Sequence, residues 1–193
     1  MVRSFDATPV DPDWLDAACA TALWAPTAGN SAGVRMHVVT ADLVGAFFER
    51  ATDARWRRDS PRAPGLSRAG AVVLVTSRPQ DYLDRYREAD KGDAGLSAES
   101  AWPVPYWHAD AAMATMALLL LVEEGGWSAV LWGSFRHDRD ILDWAGASDE
   151  SLFASVLIGR ADGRDHRSTS LDRPIPPRRA RVRRVALSPE RTP

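Results

Sequence analysis

The sequence predicts an α+β protein with a small sheet covered by helices. Segments with helical spacing of apolar residues mix irregularly with short β-branched runs. The chain also opens on a helix and lacks the regular strand and helix alternation of a doubly wound parallel sheet. Its 193 residues, 45% of them hydrophobic, suffice for one core. We therefore expect one domain over residues 1–171, followed by an arginine- and proline-rich C-terminal arm over residues 172–193.

The first helix is predicted from its boundaries. Asp11 offers a capping carboxylate, and Pro12 occupies an early helical position where its missing N–H costs nothing. Apolar residues recur at helical spacing from there until Pro26, which ends the helix.

A strand and a second helix are expected next. Residues 36–40 have the composition of a short strand, and residues 42–55 form an amphipathic pattern. Leu43, Phe47 and Phe48 share one side of that helix, which we expect to be buried.

The middle of the chain alternates between polar and apolar segments. Residues 56–68 are rich in proline and arginine and are expected to form a loop. Residues 71–77, AVVLVTS, are a continuous β-branched run that predicts a central strand. A short helix is expected over residues 81–92, followed by a loop that carries WPVPYW.

The longest helix is expected from Asp110, as its capping residue, to Glu124, before two glycines. Its residues are apolar nearly all the way round, so it must be buried on several sides. The last predicted elements are strands over residues 127–132 and 155–160, a helix over 139–146 between them and a strand over 181–187.

Composition excludes several classes of partner. The formal net charge of -2 argues against bulk attraction to nucleic acid. Cys19 is the only cysteine, so neither an intramolecular disulfide nor a cysteine-built zinc site is expected. The N-terminus has no apolar signal region, and the longest apolar run already contains Asp110 and is too short for a bilayer. We expect a cytoplasmic protein with no membrane partner.

Residues 29–33, GNSAG, match the G-x-S-x-G pattern of a serine hydrolase. A nucleophile elbow needs a strand before the serine and a helix after it, whereas the helix here precedes Ser31. His108, His137 and His166 lie downstream, but none has a distinctive context. Two explanations stay open beside the hydrolase: a loop whose backbone binds a ligand, and an ordinary helix-to-strand turn.

Three stretches resemble the FMN-dependent nitroreductase-like flavoproteins: VRSFDATPVDPDWLDAACATAL, APTAGNSAGVRMHVV and YWHADAAMATMALLLLVEEGGWSAVLWGSF. YLDRYREADKG and WPVPYW are similar to an actinobacterial-type subgroup. The resemblance implies a mainly antiparallel sheet in a domain-entwined homodimer. It also implies hydride transfer from NAD(P)H through FMN to a small electron-poor acceptor, nitro- or quinone-like.

The resemblance also implies where the flavin is held. A loop of the neighbouring subunit would border the isoalloxazine ring, backbone N–H groups after a strand would face N5, and a basic residue would lie near the N1–C2 carbonyl edge. The loop residues would be Pro26, Thr27, Ala28 and Asn30. The N–H groups that face N5 would be those of Trp132 and Gly133, and the basic residue would be Arg3.

The sequence departs from the family pattern at two places. Met1 stands where the family has the serine of an Arg-x-Ser that holds phosphate, and residues 32–34 replace a common Gln-Pro-Trp. We therefore expect FMN to be held loosely, with its phosphate on Arg173, Arg178 and Arg179.

Several alternatives remain open at this stage. Deazaflavin could replace FMN, and the sequence has no G-x-G-x-x-G that would tell NADH from NADPH. The chain could also be a catalytically silent flavin-binding or storage protein of the same fold. Trp102, Tyr106 and Trp107 could flank an acceptor pocket or lie buried at a dimer contact.

Overall fold

The computed structural model describes residues 1–134, 136–165 and 168–184. The α-helices are α1 (Pro12–Ala22), α2 (Val44–Ala51), α3 (Ala54–Asp59), α4 (Ala63–Leu66), α5 (Pro79–Arg85), α6 (Tyr106–Glu124) and α7 (Asp138–Trp144). The strands are β1 (Val34–Thr40), β2 (Ala71–Ser77), β3 (Ser128–Trp132) and β4 (Ser151–Gly159). Asp11 caps α1 as expected, because its side chain accepts a hydrogen bond from the Trp14 N–H.

The four strands form one sheet in the order β1-β2-β4-β3, and every pairing is antiparallel. This confirms the predicted α+β fold with a small antiparallel sheet. β2 is central, and all of its residues are buried. The N-terminal segment lies against β3, since the Val2 N–H donates to the Ala129 carbonyl at 3.0 Å.

Helices cover both faces of the sheet, which explains the continuous apolar run of β2. Val73 and Val75 pack on one side with residues of α1 and α6. Val72 and Leu74 point to the other side and pack with residues of α2 and α7. Because successive side chains of a strand alternate between its faces, a strand covered twice needs apolar residues throughout.

Helix α6 crosses the first core. Ala111, Ala114, Leu118 and Val122 are buried against the sheet. An apolar stripe of Met113, Met116 and Leu120 lies on the surface, with 41%, 54% and 59% of each residue exposed. The helix is therefore apolar on a face that the described part of the chain leaves uncovered.

The expectation that α6 begins at Asp110 is wrong. The helix begins at Tyr106, so the last part of WPVPYW is helical rather than loop. Asp110 lies inside the second turn and is 1% exposed, and its side chain serves a different purpose described below.

The predicted helix over residues 42–55 is interrupted. A 3-10 turn over Ala41–Leu43 precedes α2, and Leu43 is 43% exposed because it belongs to that turn. Phe47 and Phe48 are buried as expected. Asp53 then starts α3 by accepting the Trp56 N–H at 2.7 Å.

Other boundaries also differ from the sequence prediction. The expected loop over residues 56–68 contains most of α3 and all of α4, and α5 ends at Arg85 rather than near Gly92. β4 begins four residues earlier than expected. Within the predicted strand over residues 181–187, Arg181 ends a 3-10 turn (Arg178–Arg181), and residues 185–187 lie outside the described part. No described helix is both long and apolar enough to cross a bilayer.

Candidate active site

Trp132 and Gly133 line a cavity of about 330 Å³ at the end of β3. Trp132 is the last residue of the β3 and β4 ladder, and Gly133 follows it directly. The cavity walls come from the segment that joins α2 to α3 and from the residues before α7; they are Ala51, Thr52, Asp53, Trp56, Ser134, Arg136 and His137. The structure thus places both residues predicted to face flavin N5 at one concave site.

Trp132 is held in place by an aromatic cluster. Its ring centroid lies 5.9 Å from that of Phe47, 5.5 Å from that of Phe48 and 5.9 Å from that of Trp56. Phe48 and Trp56 are themselves stacked, with 8° between their planes. Such packing gives the cavity a rigid apolar wall.

The lining of the cavity also carries charge. The pKa of Asp53 is lowered, mainly because its carboxylate accepts the backbone N–H of Trp56, with smaller contributions from His137 and Arg136. A second cleft of about 540 Å³ shares Thr52 and His137 with the first. The two cavities therefore adjoin, one with aromatic walls and one with mixed charges.

Arg3 lies in a separate pocket of about 190 Å³ that is rich in arginine. Arg62, Arg68 and Arg164 line the same pocket, and Asp162 is the carboxylate among its lining residues. Asp162 accepts the backbone N–H of Arg164 and the hydroxyl of Ser4, and these bonds lower its pKa. The pocket is suited to an anion.

Gly65 allows the close approach that forms this pocket. A Cβ at position 65 would lie 2.7 Å from Ser4 Oγ and 2.8 Å from the Arg3 carbonyl oxygen, so α4 can pack against the N-terminal segment only through a glycine. One side of the pocket is therefore built from the segment over residues 56–68 that the sequence prediction had assigned to a loop.

The predicted flavin loop, residues 26–30, has an unusual backbone. Gly29, Asn30 and nearby Ala32 have φ values of 63°, 58° and 50°. The Asn30 N–H donates to the Thr27 carbonyl at 3.0 Å, and Arg85 Nε donates to the Gly29 carbonyl at 2.8 Å. A loop with three left-handed residues presents its backbone in a way that ordinary turns do not.

This loop and the residues around the β3 cavity pack into different side-chain clusters. Ala28 packs against the cluster that contains Tyr82 and Trp107, whereas Trp132 packs with Phe47. The assignment of the loop to the site of a neighbouring subunit stays a prediction.

The WPVPYW aromatics divide into two kinds. Trp102 and Trp107 are buried against Tyr82 of the same protomer, with ring centroids 6.2 and 6.1 Å from the tyrosine ring. Trp102 Nε1 also donates to the Leu96 carbonyl at 2.8 Å. Tyr106 is exposed and remains the candidate for an acceptor or partner contact.

Ser31 has the surroundings of a turn residue. Its hydroxyl donates to the Ala28 carbonyl, α1 precedes it and β1 follows it. Of the three histidines downstream of Ser31, His137 lines the β3 cavity. Burial lowers the pKa of His108. His166 lies outside the described residues. The structure confirms the predicted order of helix, Ser31 and strand, which is the reverse of the order in a nucleophile elbow.

The three arginines of the C-terminal arm that are predicted to hold phosphate are exposed. Arg173 follows a 3-10 turn (Thr169–Asp172), and Arg178 and Arg179 begin the next one. Their predicted contact with a phosphate stays a prediction.

Sequence reasoning missed several residues of these sites. Trp56, Arg62 and Arg68 lay in a segment interpreted as loop, and their proline-rich context gave no signal for short helices. Asp110 did leave a signal, because it is the lone carboxylate in a long apolar run.

An antiparallel sheet between two helical layers, with an aromatic cavity at a strand end and an arginine pocket beside the N-terminal segment, defines a cofactor-binding α+β enzyme. The model of the nitroreductase family matches residues 1–160. The chain belongs to the nitroreductase family, a family of FMN-dependent oxidoreductases. This confirms the family, the enzyme class and the family's cofactor expected from the sequence. No curated protein matches the chain in a sequence search.

Solved structures share the fold at low identity. A gut-bacterial enone reductase of fatty acid saturation metabolism is 19% identical, covers 96% of this chain and 93% of its own, and has a TM-score of 0.68. A nitroreductase family protein of Streptococcus pneumoniae TIGR4 is 15% identical over 95% of this chain and 94% of its own, with a TM-score of 0.69. An FMN complex from Exiguobacterium sibiricum 255-15 is 16% identical over 87% of each chain, with a TM-score of 0.67.

Proposed function

We propose that this protein is a homodimeric FMN-dependent oxidoreductase that transfers hydride from NAD(P)H to a small electron-poor acceptor, nitro- or quinone-like. The observation that carries the proposal is the aromatic cavity at the end of β3, which holds Trp132 and Gly133 together. The arginine pocket at Arg3 supports it.

The residues present suit FMN chemically. The flavin ring is large, planar and apolar on its faces, and the Trp132 cluster offers a matching wall. The phosphate is an anion, and the pyrimidine edge of the ring gains electron density when the flavin is reduced. Arg3, Arg62 and Arg164 provide guanidinium donors suited to such groups. When bound, FMN supplies a two-electron carrier that accepts and donates hydride at N5.

The residues of the chain would bind the flavin and orient it. Gly133 is the first residue beyond the last ladder pair, where a backbone N–H can turn toward a ligand instead of a neighbouring strand. A donor aimed at N5 and a guanidinium near the N1–C2 edge both stabilise electron density on the ring. Trp132 and its neighbours limit the access of water to that wall.

The adjoining cleft of about 540 Å³ is the proposed place for the acceptor. It shares Thr52 and His137 with the β3 cavity and is otherwise lined by Glu49, Arg50, Asp140, Asp143 and Trp144. Since its polar groups are of both signs, it suits a compact polar molecule better than a long apolar one.

The homodimer is proposed from two features. The stripe of Met113, Met116 and Leu120 leaves an apolar surface on the longest helix, and burial against a second copy would cover it. The loop at residues 26–30 would then border the flavin of that copy. Arg173, Arg178 and Arg179 are exposed and remain proposed anchors for the phosphate.

One absorption spectrum tests the proposal. Purified protein, or protein titrated with FMN and desalted, should show the flavin bands in the near ultraviolet and blue. NADH or NADPH should bleach these bands, and a quinone or nitroaromatic should restore them. Absence of bound flavin after titration refutes the proposal; a deazaflavin ligand is separated from FMN by repeating the titration with it.

The second candidate is a silent flavin-binding or storage protein of the same fold. It predicts bound flavin that neither NADH nor NADPH bleaches, whereas dithionite does.

A further inference from the structure

Asp110 is a buried carboxylate that joins three distant parts of the chain. From helix α6, its Oδ2 accepts the Ala28 N–H at 2.8 Å and the Tyr82 hydroxyl at 2.9 Å. Its Oδ1 is buried and has no hydrogen-bond partner among the described residues. A buried carboxylate oxygen without a partner is costly, so a contribution to stability alone does not explain the choice of Asp at this position.

The segment that Asp110 holds is strained. Asn30 and Ala32 adopt left-handed backbone conformations without being glycine, which is unfavourable for each of them. Such conformations persist only where surrounding contacts determine them. Two side chains from outside the loop bond to its backbone: Asp110 accepts from Ala28, and Arg85 donates to the Gly29 carbonyl.

Of these two contacts, the one to Asp110 is the better fixed. Asp110 and Tyr82 are both buried, and the tyrosine hydroxyl orients the carboxylate by donating to the same oxygen that receives the loop. Arg85 is partly exposed and divides its donors between the loop, Glu88 and Asp90. The buried contact therefore sets the position of the loop relative to the core.

We propose that Asp110 is a positioning residue that fixes the backbone of residues 27–32 in the conformation that faces the flavin. The inference rests on the proposed function, because the loop borders the ring only if FMN is bound. Asp110 is buried and acts through the Ala28 N–H, while the loop would present Thr27 and Asn30 to the ligand.

The first experiment measures the loop without any flavin. Amide hydrogen exchange at Ala28 is compared among the wild-type apoprotein, Asp110→Asn, Asp110→Ala and Tyr82→Phe. We expect exchange at least roughly tenfold faster in the alanine variant and smaller accelerations in Asp110→Asn and in Tyr82→Phe, which keeps the loop contact but loses the hydroxyl that orients the carboxylate. Unchanged exchange in a folded Asp110 variant overturns the proposal, as does equal acceleration in Tyr82→Phe. If the alanine variant does not fold, the asparagine variant decides.

The second experiment measures how the same variants bind FMN. FMN affinity is measured by quenching of flavin fluorescence, and ring orientation by circular dichroism in the flavin bands. We expect FMN to bind roughly tenfold more weakly or worse to Asp110→Ala, with an altered dichroism spectrum, and Tyr82→Phe, which keeps the loop contact, to show smaller changes in both. Retained affinity and spectrum in the Asp110 variants overturn the role at the flavin. Failure of the wild type to bind FMN refutes the proposed function instead, and the exchange data still decide what Asp110 does for the loop.

Discussion

Replacement of Leu120 by aspartate should separate the proposed dimer into monomers. Complete burial of a leucine or methionine side chain contributes about 1.5–3 kcal/mol. Met113, Met116 and Leu120 are 41%, 54% and 59% exposed, so roughly half of that, about 1 kcal/mol each, remains to be gained when a partner covers them. In a two-fold dimer each side chain counts twice, and the stripe contributes about 6 kcal/mol.

Leu120→Asp removes about 2 kcal/mol of this burial and places two carboxylates in an apolar contact, which costs at least about as much again. A total near 4 kcal/mol corresponds to a roughly thousandfold weaker dimer. Sedimentation over a range of concentrations should show a dimer for the wild type and a folded monomer for the variant. Leu43→Asp, the same change at a leucine of similar exposure outside the stripe, is the matched control.

Two results would refute this reasoning. A wild-type protein that sediments as a monomer at micromolar concentration would remove the dimer itself. A Leu120→Asp variant that stays as dimeric as Leu43→Asp would show that the stripe on α6 is not the contact.

Three further outcomes are expected. Arg3→Ala should weaken FMN binding roughly ten- to hundredfold in a fluorescence titration, and Arg173→Ala should do the same if the arm holds phosphate. Arg55 is an exposed arginine outside the pocket, so the control variant Arg55→Ala should leave FMN binding unchanged. Ser31→Ala should leave any background esterase activity unchanged, since its hydroxyl serves a turn; loss of a true esterase activity would contradict the flavin assignment. Burial raises the pKa of the Cys19 thiol to about 12, so a thiol reagent at pH 8 should label it only after unfolding, and rapid labelling of folded protein would disprove its burial.

Local signals were enough to predict the framework of the fold. The Asp11 and Pro12 pair marks the start of α1, and the uninterrupted apolar run marks β2, because each signal acts within a few residues. The burial of Phe47 and Phe48 in α2 followed from helical periodicity. Because α6 is apolar nearly all the way round, periodicity could not separate its sheet face from its exposed stripe.

Long-range contacts could not be predicted in the same way. Asp110 has the identity of a capping residue, yet its partners are Ala28 and Tyr82, which are 82 and 28 positions away. Nothing near Asp110 in sequence specifies either partner. Similarly, Gly65 resembles a loop glycine, and its role becomes visible only when the N-terminal segment packs against it.

The strand order has a consequence for how the chain acquires its structure. β2 pairs with β1 close to it in sequence, but its other partner, β4, begins only at Ser151. Pairings between such distant segments form slowly. Until β4 pairs with it, one edge of a mainly apolar strand stays open and can pair with other chains. Renaturation from denaturant should therefore lose material to aggregates in proportion to protein concentration, and dilution should improve the yield more than cooling does.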